Sequence, residues 1–131
     1  MPQPAAKQGD QVIATDTHIV MMPSPGGPVP TPLPHPFVGK LDGKLSSDVN
    51  IMGKAAAVQG SEASNSPAHV AQGPSFQKPP MDKGSVLLGS GTVFINGKPA
   101  ARNGDKVTTC NDPADLPVGS IIAVGTVFIG G

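Results

Sequence analysis

The feature that most constrains this chain is a short unit that occurs twice intact and once in two pieces. Val49-Asn50-Ile51-Met52-Gly53-Lys54-Ala55-Ala56-Ala57-Val58-Gln59-Gly60 aligns without a gap to Val93-Phe94-Ile95-Asn96-Gly97-Lys98-Pro99-Ala100-Ala101-Arg102-Asn103-Gly104. The third copy is divided between the termini. The chain ends Val127-Phe128-Ile129-Gly130-Gly131 and begins, after three residues, Pro4-Ala5-Ala6-Lys7-Gln8-Gly9-Asp10. Joined head to tail these pieces complete the unit, so the two ends are expected to meet. A related apolar segment precedes each copy: Gly43-Lys44-Leu45-Ser46, Gly84-Ser85-Val86-Leu87-Leu88-Gly89 and Gly119-Ser120-Ile121-Ile122-Ala123-Val124-Gly125.

Val and Ile favour strands, and Asn96-Gly97 suits a two-residue type I′ hairpin turn. Pro99 falls where only an edge or a turn tolerates a missing amide. The expected fold is all-β: three hairpins around a pseudo-threefold axis in one domain, 1–131. Val49, Ile51, Val93, Ile95, Val127 and Ile129 are its expected inner core. A β-solenoid is the competing architecture, but three units of unequal spacing are few for a stack. Residues 55–66 have some helical propensity, which Gly60 and the polar tail oppose. The middle copy reads Val58-Gln59-Gly60-Ser61 where the others have Gly-Asp, and lacks both Pro and Arg, so it is expected to be looser.

Such a chain has little to bury. Only 37% of residues are hydrophobic, Trp and Tyr are absent, and Gly and Pro fill 17 and 16 positions. Small folds of this kind need a disulfide, a metal or a partner subunit, and a single cysteine excludes an internal disulfide. The formal charge is zero and no run of Lys or Arg occurs, which argues against nucleic acid. The N-terminus has no apolar signal core, and no stretch approaches the roughly 20 apolar residues that span a bilayer. The expectation is synthesis in the cytosol without a cleaved signal, and no stable membrane anchor. Residues 23–36, with seven prolines, read as a stiff polyproline loop without a ladder partner that presents His35, or alternatively as a linker or SH3-type ligand.

The chain holds three His and one Cys, and three of the four follow a repeat at similar distance: nine residues from Gly9 to His18, nine from Gly60 to His69, six from Gly104 to Cys110. A threefold arrangement brings those loops to one end of the axis, where His35 supplies a fourth corner. A closed set of nitrogen and sulfur donors is what structural zinc prefers. The expected site is one Zn2+ on His18, His35, His69 and Cys110, with iron or nickel as lesser alternatives. A zinc hydrolase needs an open metal position and a general base, and Glu62, the single glutamate, sits in a polar stretch unsuited to that role. Gly89-Ser90-Gly91 could suggest a phosphate loop, but an apolar β triplet follows where a helix N-terminus is required. The chain is therefore expected not to be an enzyme. A general adaptor using its proline-rich segment is a third class.

Pro99-Ala100-Ala101-Arg102 spell PAAR, with degenerate copies at Pro4-Ala5-Ala6-Lys7 and Ala55-Ala56-Ala57-Val58. With the split ends and the His and Cys set, the sequence resembles the PAAR-repeat proteins. That resemblance implies a small conical fold that caps the trimeric, VgrG-like spike of a contractile injection machine, of the type VI secretion or phage-tail-like kind. It implies one tip per trimer, zinc near the sharp vertex, ligands at His18, His35, His69 and Cys110, and transient contact with a target envelope. No toxin-like extension follows Gly131, so a stand-alone tip without an effector domain, made in the bacterial cytoplasm and delivered outward on the particle, is expected.

Overall fold

The computed structural model describes residues 2–65, 68–69, 75–112 and 114–130. Its centre is a closed antiparallel barrel of six strands: β2 (Gln11–Met22), β3 (Val29–Gly43), β6 (Glu62–Asn65), β8 (Lys83–Val86), β11 (Lys106–Thr109) and β12 (Leu116–Ile122). Neighbours pair in the order β12-β11-β8-β6-β3-β2, and β12 pairs back onto β2. Closure leaves those paired segments without a free edge. The period-two pattern shows why they close this way: from His35 to Leu41, β3 buries His35, Phe37, Gly39 and Leu41 while Pro36, Val38 and Lys40 face out. The interior of so small a barrel is filled by side chains, here Val12, Phe37, Leu41, Val86, Val107 and Ile121. Gly39 must be glycine, because a Cβ there would lie 2.7 Å from the Ser64 carbonyl oxygen and 2.8 Å from the Phe37 ring.

The repeats sit at one end of this barrel as three short hairpins. Strand β4 (Asn50–Ile51) pairs with β5 (Lys54–Ala55), β9 (Phe94–Ile95) with β10 (Lys98–Pro99), and β1 (Gln3–Pro4) with β13 (Phe128–Ile129). The termini therefore meet as expected. Gly131, the last residue of the split copy, lies outside the described residues. Two tips have consecutive left-handed residues, Met52 and Gly53 (φ 53° and 81°) and Asn96 and Gly97 (φ 52° and 76°), the signature of a type I′ turn.

The threefold relation extends to individual hydrogen bonds. The Ala6 amide donates to the Ala101 carbonyl, Ala101 to Ala57 and Ala57 to Ala6, each at 3.0 Å, so a ring of three bonds closes about the axis. Outside it, Gln8 donates to Ala55, Gln59 to Pro99 and Asn103 to Pro4, each at 2.8 Å. Ala6, Ala57 and Ala101 are fully buried. Where three backbones converge on one line a methyl group fits and a longer side chain does not. That packing accounts for an alanine at this position of every copy.

Three expectations need correction. The middle copy is not looser: the Val58 amide donates to Ser61 Oγ at 2.9 Å, matching Lys7 to Asp10 Oδ2 at 3.0 Å and Arg102 to Asp105 Oδ2 at 2.8 Å. Buried Ser61 also donates to the Lys44 carbonyl, so a hydroxyl serves where the other copies use a carboxylate. Residues 23–36 are not a polyproline loop throughout. Residues 29–36 are half of β3, in unbroken register with β2 from Met22 opposite Val29 to Gln11 opposite Lys40. Pro30, Pro32, Pro34 and Pro36 recur at every second residue, so their missing amides all fall on the side away from β2 and interrupt no bond of that ladder. Finally, of the expected inner core, Ile51, Ile95 and Ile129 are buried, but Val127 is 40% exposed, and the deepest positions belong to the alanines and barrel residues. Residues 55–65 are the end of β5, a turn and β6, and Ser66 lies outside the described residues. No helix is long and apolar enough to cross a membrane among the described residues.

Candidate metal centre

Strand β2 runs from Gln11, beside the hairpin ring, to Met22, at roughly 3.3 Å per residue. It therefore carries Asp16 and His18 toward the barrel end remote from the ring. Two residues apart on a strand, they share its inner face. His35 comes from β3, directly opposite Asp16. His69 follows β6 and Cys110 follows β11. Asp16, His18 and His35 are buried, as are the Cys110 thiol and the His69 ring.

One ligand atom from each of Asp16, His18, His69 and Cys110 lies within 4.8 Å of all the others. Cys110 Sγ is 3.8 Å from His18 Nε2 and 3.5 Å from Asp16 Oδ2, and His69 Nε2 is 3.1 Å from Asp16 Oδ2. His35 joins through its ring, with centroid distances of 5.4 Å to His18 and 5.6 Å to His69, while His18 and His69 are 4.7 Å apart. A tetrahedral cation with bonds of about 2.0 Å to nitrogen sets imidazole centroids about 5 Å apart. The three histidines fit that spacing.

Hydrogen bonding assigns the nitrogens. His35 Nδ1 donates to the Leu33 carbonyl at 3.0 Å, which leaves Nε2 as a lone pair, buried and without a hydrogen-bond partner. An imidazole tied on one nitrogen to a backbone carbonyl and unsatisfied on the other is the arrangement metal-bound histidines adopt. His18 Nδ1 sits 3.5 Å from Asp112 Oδ2, near enough for attraction and without hydrogen-bond geometry. Burial, with His69 alongside, holds the His18 pKa below its ordinary value, so the ring is neutral and able to ligate at neutral pH. Burial pushes the Cys110 thiol up to about 12, with the Asp16 carboxylate adding to the effect. A cation at this centre reverses that preference, because a coordinating thiol is deprotonated outright.

Residues absent from the sequence-derived ligand set hold these donors in place. The Asn111 and Asp112 carboxamide and carboxylate accept the amides of Thr17 (2.7 Å) and Ile19 (2.9 Å), on either side of His18. The Asp112 amide returns a bond to the Thr17 carbonyl at 2.7 Å, so Cys110 and His18 are tied together by the two residues that follow the cysteine. Asp82 accepts the His69 amide at 2.8 Å and the Asn65 side-chain amide at 3.2 Å. The Thr109 hydroxyl donates to Asp16 Oδ1. Over the top, β7 (Ser75–Phe76) adds to β2 and sets the Phe76 ring 5.7 Å from His18 and 5.3 Å from His35. The centre is thus enclosed between Phe76 and Phe37, whose ring is 6.2 Å from His69. The i, i+2 spacing of Asp16 and His18 was the sequence signal for the carboxylate. Asn111 and Asp112 offered only their adjacency to Cys110.

Residues 77–131 match the model of the PAAR motif family. No curated protein matches the chain. The matched segment spans one intact repeat and the opening part of the split one, Val127 to Gly131. The remaining copies are joined to it by the ring of hydrogen bonds among Ala6, Ala57 and Ala101.

Proposed function

We propose that this chain, whose residues 77–131 match the PAAR motif family, is a structural, non-catalytic protein of that family and the tip of a contractile injection machine. In this reading one copy caps a trimeric, VgrG-like spike, as part of a type VI secretion system or a related phage-tail-like particle. A single structural zinc on His18, His35, His69 and Cys110 fastens its far end. The donor set supports zinc: imidazole and thiolate are its preferred protein ligands, and the buried lone pair on His35 Nε2 otherwise has no partner.

The observation that carries the docking part of the proposal is the closed threefold ring. A monomer can satisfy a threefold partner only if it presents three similar faces, and this chain does so with three hairpins in one polypeptide. Each hairpin also exposes an apolar side chain: Met52, Phe94 and Phe128, at 51%, 57% and 57%. Apolar groups displayed in this way are suited to burial against a partner. The donor cluster lies at the other end of the barrel, where the metal would tie β2, β3 and the two loops after β6 and β11 into one rigid piece. Contraction drives the spike outward, and the fastened end concentrates that force on a small area of target envelope. The role asked of the protein is rigidity.

The test is the mass of the complex formed with the purified spike trimer. One chain per three spike chains is expected, and loss of Phe128–Ile129 should abolish binding by removing the partner of β1. Equal binding of the truncated chain, or a stable three-to-three complex, overturns the proposal.

A further inference from the structure

We propose that the outer edge of β3, from Pro30 to Val38, is closed to β-strand partners, a second copy of this chain first among them, and that its alternate prolines are what closes it. The inference concerns the protein alone in solution, so its test is independent of the spike and of the metal.

The edge exists because two strands outrun the barrel. β2 and β3 pair without interruption from Gln11 opposite Lys40 to Met22 opposite Val29. β6, the neighbour on the other side of β3, pairs with it only from Gly39 to Gly43. Among the described residues no strand lies along the outer side of the rest of β3. Residues 30–38, at roughly 3.3 Å each, make an edge about 30 Å long. An edge of that length is ordinarily a template for another strand.

This one offers no donor. The odd-numbered residues of β3 point their amides at β2 or the segment leading into it, as the Leu41 amide does in donating to the Asp10 carbonyl at 2.9 Å, so the even-numbered positions face outward. Pro30, Pro32, Pro34 and Pro36 have no amide hydrogen to present. Val38, next in the series, has one, and Asn65 Oδ1 accepts it at 2.8 Å. Every outward donor from position 30 to position 38 is therefore missing or occupied. Antiparallel pairing exchanges two bonds at each hydrogen-bonded pair of residues, one in each direction. A strand laid here can donate but finds nothing to donate to its own carbonyls, and each carbonyl buried in that state costs about as much as a lost hydrogen bond. All four prolines are exposed, so core packing does not account for them.

The opposite edge of the same ribbon is protected by other means. The amides of Thr17 and Ile19 are taken by Asn111 Oδ1 and Asp112 Oδ2, and β7 covers Val20 and Met21. One edge is covered and the other is stripped of donors. Both keep the ribbon from joining a sheet in another molecule.

The test is sedimentation velocity from micromolar to millimolar concentration, on wild type and on Pro30→Thr/Pro32→Thr. The double variant restores two outward amides, and an antiparallel twofold contact sets position 30 of one copy opposite position 32 of the other, so that each restored amide meets a carbonyl. Threonine is more polar than proline, so association gained this way does not come from added apolar surface. Wild type is expected to remain a monomer throughout, while the variant moves toward twice the monomer mass, with self-association stronger by on the order of tenfold or more. The restored amides should exchange more slowly at high concentration than at low. A folded variant that stays monomeric, or a dimer whose restored amides exchange equally fast at both concentrations, overturns the proposal. Wild type that dimerises with cross-links within residues 29–36 overturns it without any variant. If the double variant does not fold, Pro32→Thr alone is judged by the same outcomes.

Discussion

The two ends of the barrel are built on opposite plans. At the hairpin end the same backbone hydrogen bonds occur three times at the same lengths, and side chains matter mainly by being small enough. At the donor end no contact is repeated. His18 lies between two amides held by Asn111 and Asp112, His69 hangs from Asp82, and His35 is tied to its own strand at Leu33. A backbone ring tolerates substitution: Lys7 and Arg102 add an ion pair to the aspartate of their turn, Val58 in the equivalent place cannot, and all three amides close the same turn. A site made of side chains does not. The ring is therefore expected to be the metal-independent part of the molecule, and the donor end the conditional part.

Metal removal should separate the two ends most clearly. A ligand present at about a thousand times its dissociation constant stabilises the folded state by about 4 kcal/mol, and chelation or Cys110→Ser should forfeit a loss of that order. Amide exchange gives the sharper readout. Thr17, Ile19 and Asp112 should lose protection while Ala6, Ala57 and Ala101 keep theirs. Uniform loss at both ends would mean that the ring also depends on the metal.

Overpacking the ring comes next. Ala101→Leu forces a branched side chain onto the axis and should cost about 3 kcal/mol by denaturant unfolding. Ala6→Leu and Ala57→Leu should cost the same to within about 0.5 kcal/mol, if the three positions are equivalent as their bonds indicate. A tolerated substitution at one of the three would show that the symmetry is only approximate at its own centre.

The smallest effect at neutral pH concerns Cys110 in metal-free protein. Its folded pKa is raised from 9.0 to about 12, so the folded state holds a proton that the unfolded chain releases. That contribution is complete below pH 9 and is lost as pH climbs toward about 12. Metal-free wild type should therefore lose stability between about pH 9 and about 12 relative to Cys110→Ala, and the difference between the two should be constant below pH 9. A flat difference across the range would mean that the thiol is not held in its protonated form.

The same division explains what could be read from the sequence. The ring was legible because its requirements are local: an apolar pair, a turn such as Asn96-Gly97, a small residue on the axis and a left-handed glycine after it. The split copy was legible for the same reason. Three of the expected ligands come together with their ring and sulfur atoms in one cluster, and His35 faces two of them, because each follows or precedes a repeat element. The partnership of β2 with β3 was hidden, since prolines read as breakers until their period of two is set against a neighbouring strand. Asp16 was hidden too. A carboxylate two residues before a histidine looks like solvent-facing polarity unless the strand's inner face is known.

The meeting of β1 with β13 has a consequence for how the molecule is made. Synthesis runs from Gln3 to Ile129, yet the first strand of the ring has no partner until the last has emerged from the ribosome. Every earlier nascent chain leaves β1 without its partner and the Ala5 amide without the Val127 carbonyl, even after Ala101 has completed the triad of alanines. Long-range pairing of this kind slows folding, and exposed strand edges invite association between neighbouring chains. The protein thus becomes a closed object in a single late step, and its period of greatest vulnerability is its own translation.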